Sequence, residues 1–254
     1  MFPRQAPKLR LNMLKRAVDV CVSAAALVFL LPLLLVIATV IVICDGRPVF
    51  YRGIRIGRFG QPFRIFKFRT MVIDADRLGG SATSDTDVRI THVGRTLRKH
   101  KLDELPQLIN VLLGEMSLVG PRPEVPEYVA LFSEAERLIL TVRPGITDWA
   151  TLWDADEGAL LALTSEPERV YVDFVLPEKI KLQLHYVRNQ SFWSDLLILW
   201  KTAYVVMFKP IPPSFALLNG CSPAIPQGIS SVAGSTAFES SGAEHSEQQK
   251  EESV

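Results

Sequence analysis

Residues Val20–Cys44 read VCVSAAALVFLLPLLLVIATVIVIC, 25 residues without a charged side chain. No other stretch of the sequence is as long and as apolar, and how it meets a bilayer decides the fold. As one straight helix it would be about 37 Å long, enough for a hydrocarbon core of about 30 Å. It is too long and too far from the N-terminus for a signal-peptide core, and Cys44-Asp45-Gly46 is a poor cleavage site, so the segment is expected to stay in the mature protein. Pro32 divides it into two limbs of twelve residues. A proline inside a helix removes a hydrogen bond and costs roughly 3 kcal/mol, and each limb alone reaches about halfway across.

The flanks add a charge argument. Residues 1–19 carry Arg4, Lys8, Arg10, Lys15 and Arg16 against Asp19, and residues 45–69 carry seven basic residues against Asp45. Basic flanks favour the cytoplasmic side. A helix-break-helix hairpin that enters and leaves one leaflet satisfies both, whereas a spanning helix strands one cluster outside. Prolines are tolerated in spanning helices when neighbours satisfy the freed carbonyls, so physics alone leaves both arrangements open.

The whole chain, 254 residues with 28 Lys+Arg and 27 Asp+Glu, has a formal net charge of +1. That excludes a strongly cationic nucleic-acid binder at the level of the full chain. The total conceals unlike parts, because residues 211–254 hold five Glu and one Lys while residues 1–210 hold 27 basic and 22 acidic groups. Cys21, Cys44 and Cys221 support neither a disulfide framework nor a zinc cluster, and His92, His100, His185 and His245 show no ligand spacing. Four parts are expected: a basic amphipathic segment over 1–19, the membrane segment over 20–44, a catalytic domain over 45–208, and a Pro-, Ser-, Gly- and Glu-rich tail over 209–254 with the composition of a disordered segment.

Within 45–208 the pattern changes to short aromatic and β-branched runs from Val49-Phe50-Tyr51 to Phe63–Met71, read as extended segments joined at Gly60-Gln61-Pro62. A helix is expected from near Asp103, burying Leu105, Leu108, Ile109, Leu112 and Leu113 and stopping at Gly114. A second is expected from near Glu124, with Val125, Tyr128, Val129, Phe132 and Ile139 on one side, ending before Arg143-Pro144-Gly145. Residues 166–190 read as helical with a break at Pro177. Phe192–Phe208 is apolar but contains Asp195 and Lys201, and with Trp193, Trp200 and Tyr204 it reads as an interface-lying helix rather than a second span. The fold class is therefore a membrane-associated α/β protein, mainly helical with short strands.

Chemistry centres on Asp103-Glu104. Pro106 fits a first helical turn, which places the two acids at a helix N-terminus. Adjacent carboxylates could divide labour, one attacking phosphorus and the other holding Mg²⁺, although in isolation ordinary capping is the better explanation of the pair. Arg89, Arg95, Arg98, Lys99 and Lys101 precede the dyad, Arg122 follows it in Gly120-Pro121-Arg122-Pro123, and Lys67 and Arg69 lie in Phe66-Lys67-Phe68-Arg69. Some of these cations suit a surface attracted to anionic lipid, and guanidiniums in Pro/Gly turns suit bidentate phosphate contact. Together they point to phosphate chemistry on a lipid-borne acceptor.

Five ordered motifs carry a resemblance: Lys15-Arg16-Ala17-Val18-Asp19, Lys67-Phe68-Arg69-Thr70-Met71, Leu102-Asp103-Glu104-Leu105-Pro106-Gln107-Leu108, Val119-Gly120-Pro121-Arg122-Pro123 and Arg143-Pro144-Gly145-Ile146-Thr147. Over residues 12–208 the sequence resembles the bacterial sugar transferases, monotopic phosphoglycosyl transferases that use polyprenyl phosphate. The resemblance implies transfer of a sugar-1-phosphate from a UDP-sugar to undecaprenyl phosphate with release of UMP, an early membrane step of exopolysaccharide or other surface glycan synthesis. It further implies Asp103 as the nucleophile of a covalent phosphosugar intermediate and Glu104 as the Mg²⁺ ligand. Arg122 and Arg98 would contact phosphate, with Lys67 and Arg69 lining the same site. It favours a re-entrant helix broken at Pro32, and a catalytic domain on the cytoplasmic face of the bacterial inner membrane. Lipid is an implied partner, homo-oligomerisation is compatible, and no nucleic acid is involved. Leu31 stands where the family often has Ser, Lys101 where Ser or Thr is common, and Asp148 and Thr151 depart from the run Gly-Ile-Thr-Gly-Trp-Ala-Gln. A catalytically inactive membrane scaffold is the alternative, and a basic peripheral binder would show salt-dependent association without turnover.

Overall fold

The computed structural model describes residues 9–153 and 157–208. The expected tail lies outside the described residues. Helix α1 (Leu9–Asp45) spans 37 residues with Pro32 inside it. The interruption expected at Pro32 is absent: the helical pattern continues through the proline, which leaves a kink as the form any change of direction there can take.

Short strands follow. β1 (Phe50–Tyr51) pairs antiparallel with β4 (Lys67–Phe68), and inside that loop β2 (Ile54–Ile56) pairs antiparallel with β3 (Pro62–Arg64) across a 3₁₀ turn at Arg58–Gly60. Next come α2 (Ala75–Leu78) and α3 (His92–Lys99), a 3₁₀ turn at Leu102–Glu104, α4 (Gln107–Leu113) and β5 (Ser117–Val119). Then α5 (Pro126–Ala130) and a 3₁₀ turn at Glu136–Thr141 lead to β6 (Gly145–Thr147), which lies parallel to β5. The described residues end with α6 (Trp149–Trp153), α7 (Glu157–Leu161), α8 (Pro167–Val170), a π-helical turn at Tyr171–Val175, α9 (Leu176–Asn189) and α10 (Phe192–Phe208). The described residues are thus mainly helical with a few short strands and one long apolar helix.

Three expectations are corrected. The helix expected from Asp103 begins at Gln107, preceded by the tighter 3₁₀ turn. Its buried face is Gln107, Leu108, Asn110 and Val111, whereas Leu112 and Leu113 are exposed. The single helix expected after Glu124 is two pieces: Ser133 and Glu136 exchange backbone–side-chain hydrogen bonds that restart the chain as a 3₁₀ turn. Its expected core residues nevertheless all join one cluster, where Val125, Tyr128, Val129, Phe132 and Ile139 meet Tyr171, Val175, Leu176 and Ile180. Pro177 falls in the first turn of α9, where a missing N–H costs little.

Helix α1 docks on the domain along both limbs. Before Pro32, Ala26, Leu27 and Leu30 pack on the cluster of Leu108, Leu118, Val119, Tyr186 and Ile198. After it, Ile37 and Ile41 are buried against Phe68 and Leu97. Polar side chains fix the first limb more tightly. Lys15 Nζ donates to the Val119 carbonyl (2.9 Å) and Asp195 (2.5 Å), and Arg16 Nη1 donates to the Val111 carbonyl (2.7 Å) at the C-terminus of α4. Buried Asp19 accepts from Ser117 Oγ (2.7 Å) and the Leu118 amide (3.2 Å). The opposite face is bare: Val28, Phe29, Leu35, Val36 and Ile43 are all exposed. A long helix with this much open apolar surface marks the protein as membrane-associated.

Candidate active site

Lys67 is positioned by a buried amide. Asn110 of α4 accepts from the Phe66 amide (2.8 Å) and donates to the Arg64 carbonyl (2.9 Å), which clamps the strand start to α4. Lys67 can therefore point at the turn that precedes the same helix. Arg98 is brought in by α3, which approaches the chain after β4 so closely that a Cβ on Gly94 would collide with the Thr70 carbonyl. One turn later Arg98 Nε donates to Thr70 Oγ1 (3.0 Å).

The Arg122 loop rests on the β5–β6 pair. Gly120 donates to the Thr147 carbonyl (3.0 Å), and Gly145 donates to the Pro121 carbonyl (2.9 Å). The two glycines face one another: a Cβ on Gly145 would strike the Gly120 backbone, and one on Gly120 would strike the Arg143 carbonyl. Two motifs far apart in sequence thus form one rigid turn with the Arg122 guanidinium at its edge.

These elements converge on Glu104. Its Oε1 accepts from Lys67 Nζ (2.7 Å) and Arg122 Nη2 (2.6 Å), and its Oε2 accepts from Arg122 Nη1 (3.2 Å). Burial acts to raise its pKa, but the charges and hydrogen bonds of Arg122 and Lys67 prevail and hold the carboxyl well below the usual carboxylate range. Asp103, one residue earlier, has a different environment. It is 6 % exposed, and no described residue donates a hydrogen bond to its carboxylate. Burial raises its pKa, Lys67 opposes the rise, the Glu104 charge adds to it, and Arg98 and Lys101 oppose it. Lys67 is itself lowered by burial, with Glu104 countering. The dyad therefore holds one firmly ionised carboxylate paired with two cations beside one desolvated carboxylate that accepts no hydrogen bond from a described residue. Oxygen lone pairs in a cationic surround are equipped to meet an electrophilic phosphorus.

The structure brings Asp103, Glu104, Lys67 and Arg122 together and sets Arg98 just outside that contact set. Arg69 is placed elsewhere: its buried Nη2 donates to the Asp45 (2.7 Å) and Gly46 (2.8 Å) carbonyls, anchoring the end of α1. Its Nε and Nη1 find no partner among the described residues. Lys101 occupies the left-handed region (φ 55°), turning the chain from α3 into the 3₁₀ turn. Sequence reasoning missed Asn110, which with Gln107 is polar in an otherwise apolar α4, and found no use for Asp148. That side chain is fully buried and accepts from the Thr151 amide (2.6 Å), Thr151 Oγ1 (2.8 Å) and the Arg122 amide (3.3 Å).

The chain is similar to known proteins over most of its length. The family model for bacterial sugar transferases matches residues 10–209. An exopolysaccharide production protein of Sinorhizobium fredii is 36% identical over 203 residues, covering 74% of this chain and 83% of that one. An Aeromonas hydrophila UDP-N-acetylgalactosamine-undecaprenyl-phosphate N-acetylgalactosaminephosphotransferase is 34% identical over 197 residues, covering 76% of this chain and 44% of its own. A UDP-glucose:undecaprenyl-phosphate glucose-1-phosphate transferase of Escherichia coli is 35% identical over 199 residues, covering 76% and 40%. The chain thus spans less than half the length of the last two.

Proposed function

The chain belongs to the bacterial sugar transferase family, and from that premise we propose that it moves a sugar-1-phosphate from a UDP-sugar to undecaprenyl phosphate and releases UMP. The names of the Aeromonas and Escherichia relatives supply the two substrate classes. In the first step an Asp103 carboxylate oxygen attacks the sugar-bearing phosphorus, and the phosphoanhydride bond breaks with its electron pair leaving on UMP. In the second a phosphate oxygen of the lipid attacks the same phosphorus, frees Asp103 and gives undecaprenyl diphosphate sugar. A covalent intermediate lets a water-soluble donor and a lipid acceptor use one pocket in turn. The observation that carries the reading is the contrast at the dyad: a buried Asp103 without hydrogen-bond donors beside a Glu104 gripped by Lys67 and Arg122. Arg122, Lys67 and Arg98 would bind the phosphate oxygens, and Arg69 would act by holding the end of α1.

We propose Mg²⁺ as the ion that would serve this site. Mg²⁺ takes few protein oxygens and otherwise water and phosphate, and no group of three or more His, Cys, Asp and Glu stands ready to hold a metal among the described residues. Glu104 Oε2, the less engaged oxygen, would hold the ion, which would supply neutralisation of the phosphate charge.

For α1 the reading is a re-entrant wedge with the domain on the cytoplasmic face of the inner membrane. Asp19 is buried at one end of the apolar stretch, and Asp45 holds Thr91 at the other (2.9 Å). A straight helix would separate the two by about 39 Å, more than a hydrocarbon core of about 30 Å. One water-facing domain touching both limbs is compatible with entry and exit on one side. Phe192–Phe208, with Trp193, Trp200 and Tyr204 exposed and Asp195 and Ile198 buried, would lie along the same interface.

The test is a UMP-release assay across UDP-glucose, UDP-galactose and their N-acetylated counterparts, with undecaprenyl phosphate and Mg²⁺. Release from at least one donor, with a phosphosugar adduct on Asp103 by mass spectrometry when lipid is omitted, is expected. Silence across all donors would favour a scaffold.

A further inference from the structure

Pro121 and Pro123 have no backbone N–H, so in Pro121-Arg122-Pro123 the Arg122 amide is the one available main-chain donor. That amide points at Asp148 Oδ2 (3.3 Å). The other oxygen, Oδ1, is held by the Thr151 amide (2.6 Å) and hydroxyl (2.8 Å). Asp148 is fully buried at the start of α6, so its orientation is fixed by these three donors and not by solvent. The family run has glycine at 148, which offers no acceptor, and glutamine at 151. The neighbouring bonds, from Gly120 to Thr147 (3.0 Å) and from Gly145 to Pro121 (2.9 Å), hold the loop before Arg122, and the Asp148 bond is the one at the residue that carries the guanidinium. The same guanidinium meets both oxygens of Glu104.

We propose that Asp148, oriented by Thr151, is a positioning residue that holds Arg122 for phosphate binding, the two departures from the family run acting as one unit. The role rests on the reading of Arg122 given above, although the tether can be tested without it. A bidentate guanidinium works only within a narrow range of angles, so a tether on its own main chain governs phosphate affinity more than the rate of bond breaking.

The experiment uses the full chain in lipid nanodiscs. Hydrogen exchange of the Arg122 amide is read at single-residue resolution, apart from Gly120 and Glu124, and Asp148→Ala and Thr151→Val should each speed it about tenfold or more as the tether loosens. In UMP-release kinetics, Asp148→Ala should raise KM for the UDP-sugar about tenfold and change kcat less than about threefold. Thr151→Val should move KM the same way by a smaller factor. In an Arg122→Lys background, which lacks the fork, Asp148→Ala should change KM less than about twofold, because the group it positions is gone. Should Asp148→Ala melt too low to assay, the decision passes to Thr151→Val and to Asp148→Gly/Thr151→Gln, whose exchange should also accelerate. Unchanged exchange in folded variants, or equal KM effects with and without Arg122, overturns the proposal. If the wild type releases no UMP, the functional reading falls while exchange still decides the tether.

Discussion

Around Asp103 and along α1 the protein treats water in opposite ways. At the dyad, charge is taken out of water and compensated by specific partners: Glu104 is gripped by two cations, and Asp103 is left desolvated. Along α1, apolar surface remains uncovered, with Val28 77% and Phe29 82% exposed, while polar groups at both ends tie the helix to the domain. Burial here is therefore a poor guide to chemistry until the partner is named. A charge is inside because another charge receives it, and an aliphatic side chain is outside because the bilayer is expected to receive it.

That contrast yields separable effects, the largest at the site. Asp103→Asn removes the nucleophile without changing size, and turnover should fall at least about 10³-fold while the protein stays in the membrane fraction. UMP release and flotation with liposomes, measured on one preparation, would break the contrast if both were lost together. Lys67→Ala comes next, with about a 10²-fold loss in kcat/KM. It carries a pH signature as well: the Lys67 charge opposes the upward push of burial on Asp103, so its removal raises that carboxyl further. The acid limb of the pH–kcat/KM profile, already above the usual Asp value of about 3.9, should move to higher pH. A limb that stays put or moves down would separate Lys67 from the nucleophile. Asp19→Ala acts on the other side of the contrast. It leaves Ser117 Oγ and the Leu118 amide without their acceptor and should cost about 1–3 kcal/mol, read as a lower Tm with nearly unchanged turnover per folded molecule.

The grouping of the charged residues was more legible in the sequence than the helices that carry them. Asp103, Glu104, Lys67 and Arg122 stand in short motifs rich in Pro, Gly and charge, where few structural explanations compete, and the structure gathers all four. The leucine pattern after Asp103 misled for a physical reason. Leu112 and Leu113 are exposed, and in a membrane-associated protein apolar periodicity can mark a surface as readily as a core. The 3₁₀ turn at Leu102–Glu104 also changes the winding from 3.6 to about 3 residues, which shifts the buried face to Gln107, Asn110 and Val111. The β5–β6 pair was illegible because its strands are three residues each and owe their pairing to the Gly120–Gly145 contact across the molecule. Arg69 looked like a site residue by its company in Lys67-Phe68-Arg69, but β4 ends at Phe68, and beyond the strand Arg69 turns to the end of α1.

The Lys15 joint also bears on the order of synthesis. Its ion-pair partner, Asp195, lies 180 residues further along the chain. At about 5–20 residues per second a ribosome needs roughly ten to forty seconds to make that stretch. For most of that interval the first limb of α1 exists with its apolar face complete but without its ion-pair partner. Membrane capture of the nascent helix therefore has time to precede docking, and the domain would close onto a helix that the bilayer already holds.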